Sequence, residues 1–134
     1  LLIRTSWLYG PQGKNFVDTI SRRAREVPEL RVVNDQHGCP TYTSDLAKQT
    51  RILVEQGKTG VHHATNDGAT TWFGFARAII RNAQLTTPVL PISSTELVRK
   101  AQRPMFSILR NTKDAHLRQW QKALREYMRQ KPIS

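Results

Sequence analysis

The chain has 134 residues, of which 38% are hydrophobic and 23% are charged. This composition is typical of a globular domain with a core and excludes a disordered segment, and no apolar stretch approaches the roughly 20 residues that cross a bilayer. The formal net charge is +11, but the basic residues are spread along several predicted helices. We therefore expect most of them to lie on solvated helix faces and a few to bind a phosphate-bearing small ligand. We expect neither a nucleic-acid nor a membrane partner.

The first third of the chain predicts a strand, a helix and a second strand. Leu1 to Arg4 is predicted as the end of a buried strand, and because no local partner is evident, we expect its neighbours to lie outside this chain. Asn15 is a preferred N-cap residue for the helix that follows, and Pro28 ends that helix. Residues 30–33 are rich in β-branched side chains and predict a short strand.

A loop over residues 34–42 leads into a second predicted helix. Thr43 or Ser44 is expected to cap this helix, and Gly57 to end it. The spacing of the apolar residues predicts that one face lies inward. That face comprises Leu46, Ala47, Leu53 and Val54.

The remaining elements continue the alternation. Residues 60–64 predict a strand, and Thr70 or Thr71 is expected to cap a third helix. The last predicted elements are a strand at 89–92, a capping box at 93–96 and a final helix over about 112–130. Strands that alternate with helices predict the α/β class.

Few motifs of catalytic chemistry are present. The sequence contains no G-x-G-x-x-G, C-x-x-C, H-E-x-x-H or G-x-S-x-G pattern, so it predicts no dinucleotide-cradling loop, no metal site and no nucleophile elbow. His62 and His63 are adjacent on a strand and face opposite sides, which favours a structural role. Tyr127 and Lys131 have the Y-x-x-x-K spacing, but we interpret them as a packing residue and a solvated lysine. A single Cys39 excludes an internal disulfide and fits a reducing cytoplasm.

Several segments resemble, in order, those of dTDP-4-dehydrorhamnose reductases, and together they cover about residues 2 to 125. They are R-T-S-W-L-Y-G at 4–10 with G-K-N-F-V at 13–17, V-N-D-Q-H-G-C-P-T at 33–41 with D-L-A at 45–47, G-V-H-H-A at 60–64 with T-W-F at 71–73, and R-P-x-x-S-x-L at 103–109.

This resemblance implies an extended short-chain dehydrogenase: an α/β chain that holds the tail of a Rossmann-type doubly wound domain plus the smaller α/β substrate-binding domain. Residues 1–10 and about 39–65 are then expected to complete the cofactor domain, and about 11–38 and 66–134 to form the substrate-binding part. The implied reaction is reduction of dTDP-4-dehydro-L-rhamnose to dTDP-L-rhamnose by NADPH, or sometimes NADH.

In the family's order the catalytic Tyr, Lys and Thr or Ser precede Leu1. No catalytic or cofactor residue is therefore assigned in this chain, and we expect it to be a piece of a longer protein and inactive alone. A homodimer of the full-length parent stays open. Some relatives bind a metal through glutamates, but Ser44 and Asp45 lie where one glutamate is expected, so we assign no metal ligand.

The resemblance also implies five substrate-binding residues. Trp7 is expected to offer an apolar ring face to the deoxysugar, with a core tryptophan as the alternative. Asn15 could meet a phosphate at the helix start or be a plain cap. Gln36 and Thr41 could bond the base or sugar or serve a turn. Arg103 could pair with the diphosphate or form a surface salt bridge.

Three other functions remain open at this stage. A related fold serves as a non-catalytic regulatory subunit of methionine adenosyltransferase, where its surface holds a partner. A nucleotide-sugar epimerase or dehydratase would share the same class of substrate. A basic nucleic-acid-binding module is the third reading, and the distribution of charge does not favour it.

Overall fold

The structure is a computed structural model that describes residues 1–98 and 100–131. Its helices are α1 (Phe16–Glu26), α2 (Thr43–Glu55), α3 (Trp72–Asn82) and α4 (Trp120–Gln130), with a single 3-10 turn at Ser94–Glu96. Its strands are β1 (Leu2–Arg4), β2 (Leu8–Tyr9), β3 (Leu30–Val33), β4 (His37–Gly38), β5 (Thr41–Tyr42), β6 (Val61–His63), β7 (Thr70–Thr71) and β8 (Val89–Ile92).

Within the described ranges the strands form four two-stranded sheets. Three pairs are parallel, β1 with β6, β2 with β5 and β3 with β8, and β4 pairs with β7 in the antiparallel sense. Parallel pairs joined through helices are the hallmark of the α/β class, so the predicted class is confirmed. The expectation that the neighbours of β1 lie outside this chain was wrong for one edge, because Leu2 lies opposite Val61 in β6.

The core lies between α1, α3, α4 and the β3–β8 pair. Each of the three helices turns one apolar face inward, as the 3.6-residue periodicity of the sequence requires. Asn15 caps α1 by accepting a hydrogen bond from the Asp18 amide, and Thr71 caps α3 in the same way through the Gly74 amide, which confirms both predicted caps. The largest fully buried apolar side chains are Tyr9, Tyr127, Phe75, Leu53, Ile79, Leu124 and Val17.

Helix α2 differs from its prediction in two ways. Tyr42 occupies the N-cap position and makes no side-chain cap bond, so neither Thr43 nor Ser44 is the cap. The inward face is mixed: Leu53 is buried as expected, but Ala47 is exposed and Val54 is 62% exposed, whereas Asp45 and Gln49 are buried. Asp45 turns inward because its carboxylate pairs with Arg118, 73 residues further along the chain.

The last helix begins at Trp120, about eight residues later than predicted. Residues 118–120 are held extended, because the Asp67 amide donates to the Arg118 carbonyl and the Trp120 amide donates to the Asp67 carbonyl. Further upstream, Asp114 accepts from His62 Nδ1 at 2.6 Å beside β6. These long-range contacts override the helical pattern of the sequence.

The two motifs assigned structural roles behave largely as predicted. His62 is buried, and its ring nitrogens contact Asp114 and the Thr59 carbonyl. Tyr127 is buried in the core. Lys131 is more than a solvated lysine, because its Nζ lies 2.8 Å from Asp18 Oδ2. Across the described part of the chain, no helix is both long and apolar enough to cross a membrane.

Candidate substrate-binding site

A groove of about 740 Å³ opens between α1, β3, the first residue of α3 and the segment that follows β8. Its walls combine an apolar surface with charged residues near the mouth, which is the composition expected of a site for an amphipathic ligand. The lining residues are Phe16, Ile20, Arg23, Glu29, Leu30, Arg31, Val32, Val33, Gln36, Trp72, Leu97 and Arg103.

The apolar wall follows from the packing of three elements. Phe16 starts α1 and Trp72 starts α3, and their rings meet with centroids 4.6 Å apart. Leu30 and Val32 lie on the same face of β3, because alternate residues of a strand point the same way. The groove is therefore a continuation of the hydrophobic core that opens to the surface.

The segment Asn34–Gly38 contacts the start of α3, the turn after β8 and residues 105–107. Asn34 accepts from the Thr71 hydroxyl at the start of α3. Asp35 accepts from Ser93 and Ser94, and His37 exchanges backbone bonds with Met105 and Ser107. The residue between Asp35 and His37 is Gln36, so its position is fixed from both sides.

Gln36 is a polar residue of the groove whose side chain has no partner within the described residues. It is 8% exposed and lines the cavity, and its side-chain amide makes no hydrogen bond to the described residues. The amide atoms are not among the buried unpaired polar atoms of these residues, so they reach solvent in the groove. The amide of Gln36 is thus available to a ligand.

The charges near the groove favour an anion. Among the described lining residues, Arg23, Arg31 and Arg103 carry positive charge and Glu29 carries negative charge. Arg31 pairs with Glu96 at 3.2 Å, but both side chains are largely exposed, so this pair contributes little to stability. Guanidinium groups bind phosphate oxygens in bidentate geometry, which makes this rim suited to a diphosphate.

Of the five residues predicted to bind substrate, the structure brings Gln36 and Arg103 together in the groove. Trp7 lies behind the wall: its ring stacks on Trp72 with centroids 3.6 Å apart. Trp7 has a φ of 47°, a left-handed conformation that is uncommon outside glycine. The Gly38 backbone packs so closely on its ring that a Cβ there would lie 2.3 Å away.

The other two predicted residues lie outside the lining and are bonded within the protein. The Asn15 amide nitrogen lies 3.0 Å from the Gly10 carbonyl and 3.2 Å from the Tyr127 hydroxyl. Thr41 is fully buried, and its hydroxyl donates to the Cys39 carbonyl. Their assignments to substrate stay predictions.

Sequence reasoning did not assign Phe16, Trp72, Arg23 or Arg31 to the site. Phe16 and Trp72 are partly buried and pack against the core, and periodicity does not reveal that such a ring also borders a cavity. Among the residues that the structure describes, no group of three or more His, Cys, Asp or Glu is placed to hold a metal ion.

Comparison with known proteins identifies the family of the chain. The model of the RmlD substrate binding domain family matches residues 1–132. The spore coat polysaccharide biosynthesis protein SpsK of Bacillus subtilis strain 168 is 42% identical over 97% of this chain, and a probable dTDP-4,6-dihydroxy-2-methyloxan-3-one 4-ketoreductase of Streptomyces antibioticus is 40% identical over 93%. This chain covers 47% and 45% of these two proteins.

Among solved structures, a dTDP-4-dehydrorhamnose reductase of Bacillus anthracis strain Ames, in complex with NADP, superposes with a TM-score of 0.92 and 36% identity, over 96% of this chain and 48% of that one. The fold is therefore the α/β fold of the extended short-chain dehydrogenases. The chain belongs to the RmlD substrate binding domain family. It spans about half the length of the relatives it matches.

Proposed function

We propose that this chain is the substrate-binding portion of a reductase that converts dTDP-4-dehydro-L-rhamnose to dTDP-L-rhamnose with NADPH or NADH. The groove at Gln36 carries the proposal. A nucleotide sugar combines an apolar deoxysugar, a diphosphate and a polar base, and the groove offers an aromatic wall, three arginines and a side-chain amide with no partner in the described residues.

The names of the relatives support a reductase over the other functions considered. Both the Streptomyces antibioticus protein and the Bacillus anthracis structure are described as reductases of a dTDP-linked sugar. This supports neither an epimerase or dehydratase nor a non-catalytic regulatory subunit. The Streptomyces antibioticus relative does favour a second candidate, reduction of another dTDP-linked ketosugar.

The hydride donor belongs, in this proposal, to a part of the protein outside this chain, because the sequence holds no G-x-G-x-x-G loop. We also propose that residues 1–10 and about 39–65 complete the cofactor domain, with 11–38 and 66–134 forming the substrate-binding part. The exposed apolar side chains of the first two segments support this division. They are Leu1, Leu2, Leu8, Ile52, Val54 and Val61.

Three further properties follow from the same proposal. The catalytic Tyr and Lys lie outside this chain, so residues 1–134 alone reduce no ketosugar. In this proposal the whole protein acts in the cytoplasm, and the free buried thiol of Cys39 fits such a reducing compartment. Homodimer formation by the whole protein stays a prediction.

The proposal is tested by calorimetric titration of the full-length protein with dTDP. Gln36→Ala and Arg103→Ala should each weaken binding by about tenfold, the equivalent of one charge-assisted hydrogen bond. Arg51→Ala, which removes an exposed arginine paired with Glu55 on α2, is the matched control and should leave the affinity unchanged. Equal affinity in all four proteins would refute the site.

The two candidate substrates are separated by kinetics. Consumption of NADPH with dTDP-4-dehydro-L-rhamnose and with the dTDP-linked ketosugar of the second candidate gives a kcat/KM for each. The first candidate function requires the higher value for the rhamnose precursor. No turnover of either sugar would contradict both.

A further inference from the structure

We infer that Asp35 is a positioning residue for the groove, whose carboxylate fixes Gln36 on one side of the cavity and the Ser93–Leu97 segment on another. The inference rests on the function proposed above. Asp35 does not line the groove, and neither the resemblance nor the relatives assign it a role.

The carboxylate of Asp35 accepts several hydrogen bonds from two consecutive residues, Ser93 and Ser94. Its Oδ1 accepts from the Ser94 amide at 3.1 Å, and its Oδ2 accepts from the Ser94 hydroxyl at 2.9 Å and the Ser93 hydroxyl at 3.1 Å. The bond from the Ser94 backbone amide is the main reason that the pKa of Asp35 lies below its usual range. The carboxylate therefore stays ionised and accepting at neutral pH.

These bonds place two lining residues. Ser93 caps the turn at Ser94–Glu96, and the Glu96 carboxylate accepts a hydrogen bond from the Ser93 amide and pairs with Arg31. Leu97 follows this turn directly and lines the groove, as Arg31 does. Asp35 thus determines where one wall of the cavity stands relative to β3.

The other side of Gln36 is fixed independently by backbone bonds. The His37 amide donates to the Met105 carbonyl at 2.7 Å, and the His37 carbonyl accepts from the Ser107 amide at 2.9 Å. With both neighbours held, Gln36 presents its amide to the ligand at little additional entropic cost. Loss of the Asp35 bonds releases one of the two neighbours.

The experiment compares Asp35→Asn with the wild type in the full-length protein. The carboxamide keeps the volume but accepts fewer bonds, so the Kd for dTDP should rise about tenfold. The KM for the ketosugar should rise in parallel, while kcat at saturating substrate stays within about twofold, because no reacting atom is touched. Asp67→Asn is the matched control, since that carboxylate accepts from Gln119 outside the groove, and it should bind as the wild type does.

A double-mutant cycle tells positioning from general support of the fold. Because Asp35 acts partly through Gln36, Asp35→Asn combined with Gln36→Ala should lose less dTDP affinity than the product of the two single losses. Losses that multiply would overturn the inference, and so would wild-type affinity in Asp35→Asn. If Asp35→Asn fails to fold, Ser94→Ala removes one donor from the opposite side and should weaken binding about threefold; unchanged affinity there would also overturn it.

Failure of the proposed function has a different signature. In that case the wild-type protein does not bind dTDP, or Gln36→Ala binds as tightly as the wild type. The inference about Asp35 fails, while the proposed function stands, when Gln36→Ala binds dTDP more weakly than the wild type but Asp35→Asn and Ser94→Ala bind it equally well.

Discussion

Replacing Arg118 by methionine should destabilise the protein by about 3 kcal/mol. The Arg118 guanidinium contacts both carboxylate oxygens of Asp45, with Nε 2.8 Å from Oδ2 and Nη2 2.9 Å from Oδ1, and Nη1 contacts Glu126. Asp45 is 7% exposed. After the substitution, the Asn66 amide would be the remaining polar partner shown for that carboxylate.

The magnitude follows from these surroundings. Breaking a buried ion pair on one side costs roughly 3–5 kcal/mol, because the other charge remains buried without compensation. Arg118 is about 29% exposed in its side chain, so water screens part of the interaction. The expected loss therefore lies at the lower end of that range, near 3 kcal/mol.

Urea unfolding of the full-length protein, followed by tryptophan fluorescence, measures this loss, since Trp120 is buried beside the network. Arg51→Met is the matched control: its pair with Glu55 is exposed on both sides and should contribute less than about 0.5 kcal/mol. A loss below about 1 kcal/mol for Arg118→Met would refute the reasoning. The Arg118 bond also lowers the pKa of Glu126, so its contribution is present above pH 4.5 and is lost as the pH falls through the lower folded value.

Two further predictions concern aromatic packing. Tyr9, Tyr42 and Tyr127 form one cluster with ring centroids 5.4 to 5.7 Å apart, and burial raises the pKa of all three. Their contribution to stability is therefore present below pH 10 and is lost above it. The tyrosinate absorbance of Tyr127, measured as the difference between the wild type and Tyr127→Phe, should appear together with unfolding and not before it. Gly38→Ala should destabilise by about 1–3 kcal/mol and alter tryptophan fluorescence, because the new methyl group overlaps the ring of Trp7; wild-type stability with an unchanged spectrum would contradict the close contact.

Elements whose signals are local could be predicted from the sequence. The caps of α1 and α3 depend on one side chain and on an amide three residues further on. The β3 and β8 strands are short runs of mostly β-branched or apolar residues. The face of α2 and the start of α4 could not be predicted, because both depend on partners far away in sequence, such as Arg118 for Asp45.

The same distinction applies to the site. Gln36 and Arg103 were expected from short motifs, and both line the groove. Phe16 and Trp72 were not, because an aromatic residue at a helix start has the same periodicity whether or not a cavity opens beside it. One ring face of Trp7 is stacked on Trp72, a contact between distant residues that the motif could not reveal, and its assignment to the substrate stays a prediction.

The unpaired amide of Gln36 gives a last prediction that links stability to function. Because the amide reaches solvent in the groove, leaving it without a partner in the chain costs the unliganded protein little. Gln36→Leu, which has similar volume and no polar group, should therefore change the stability of the unliganded protein by less than about 0.5 kcal/mol and weaken dTDP binding.

Thermal unfolding of the full-length protein with and without dTDP tests both halves of this prediction. Ligand present at 100 times its Kd stabilises a folded protein by about 2.7 kcal/mol, so the wild type should gain a large shift in Tm and Gln36→Leu a small one, from a similar starting value. A leucine variant that is less stable without ligand would mean that the Gln36 amide already has a partner, such as an ordered water, inside the folded protein. The Gln36 amide would then be hydrogen-bonded without a ligand, and the reason for assigning Gln36 to the ligand would be lost.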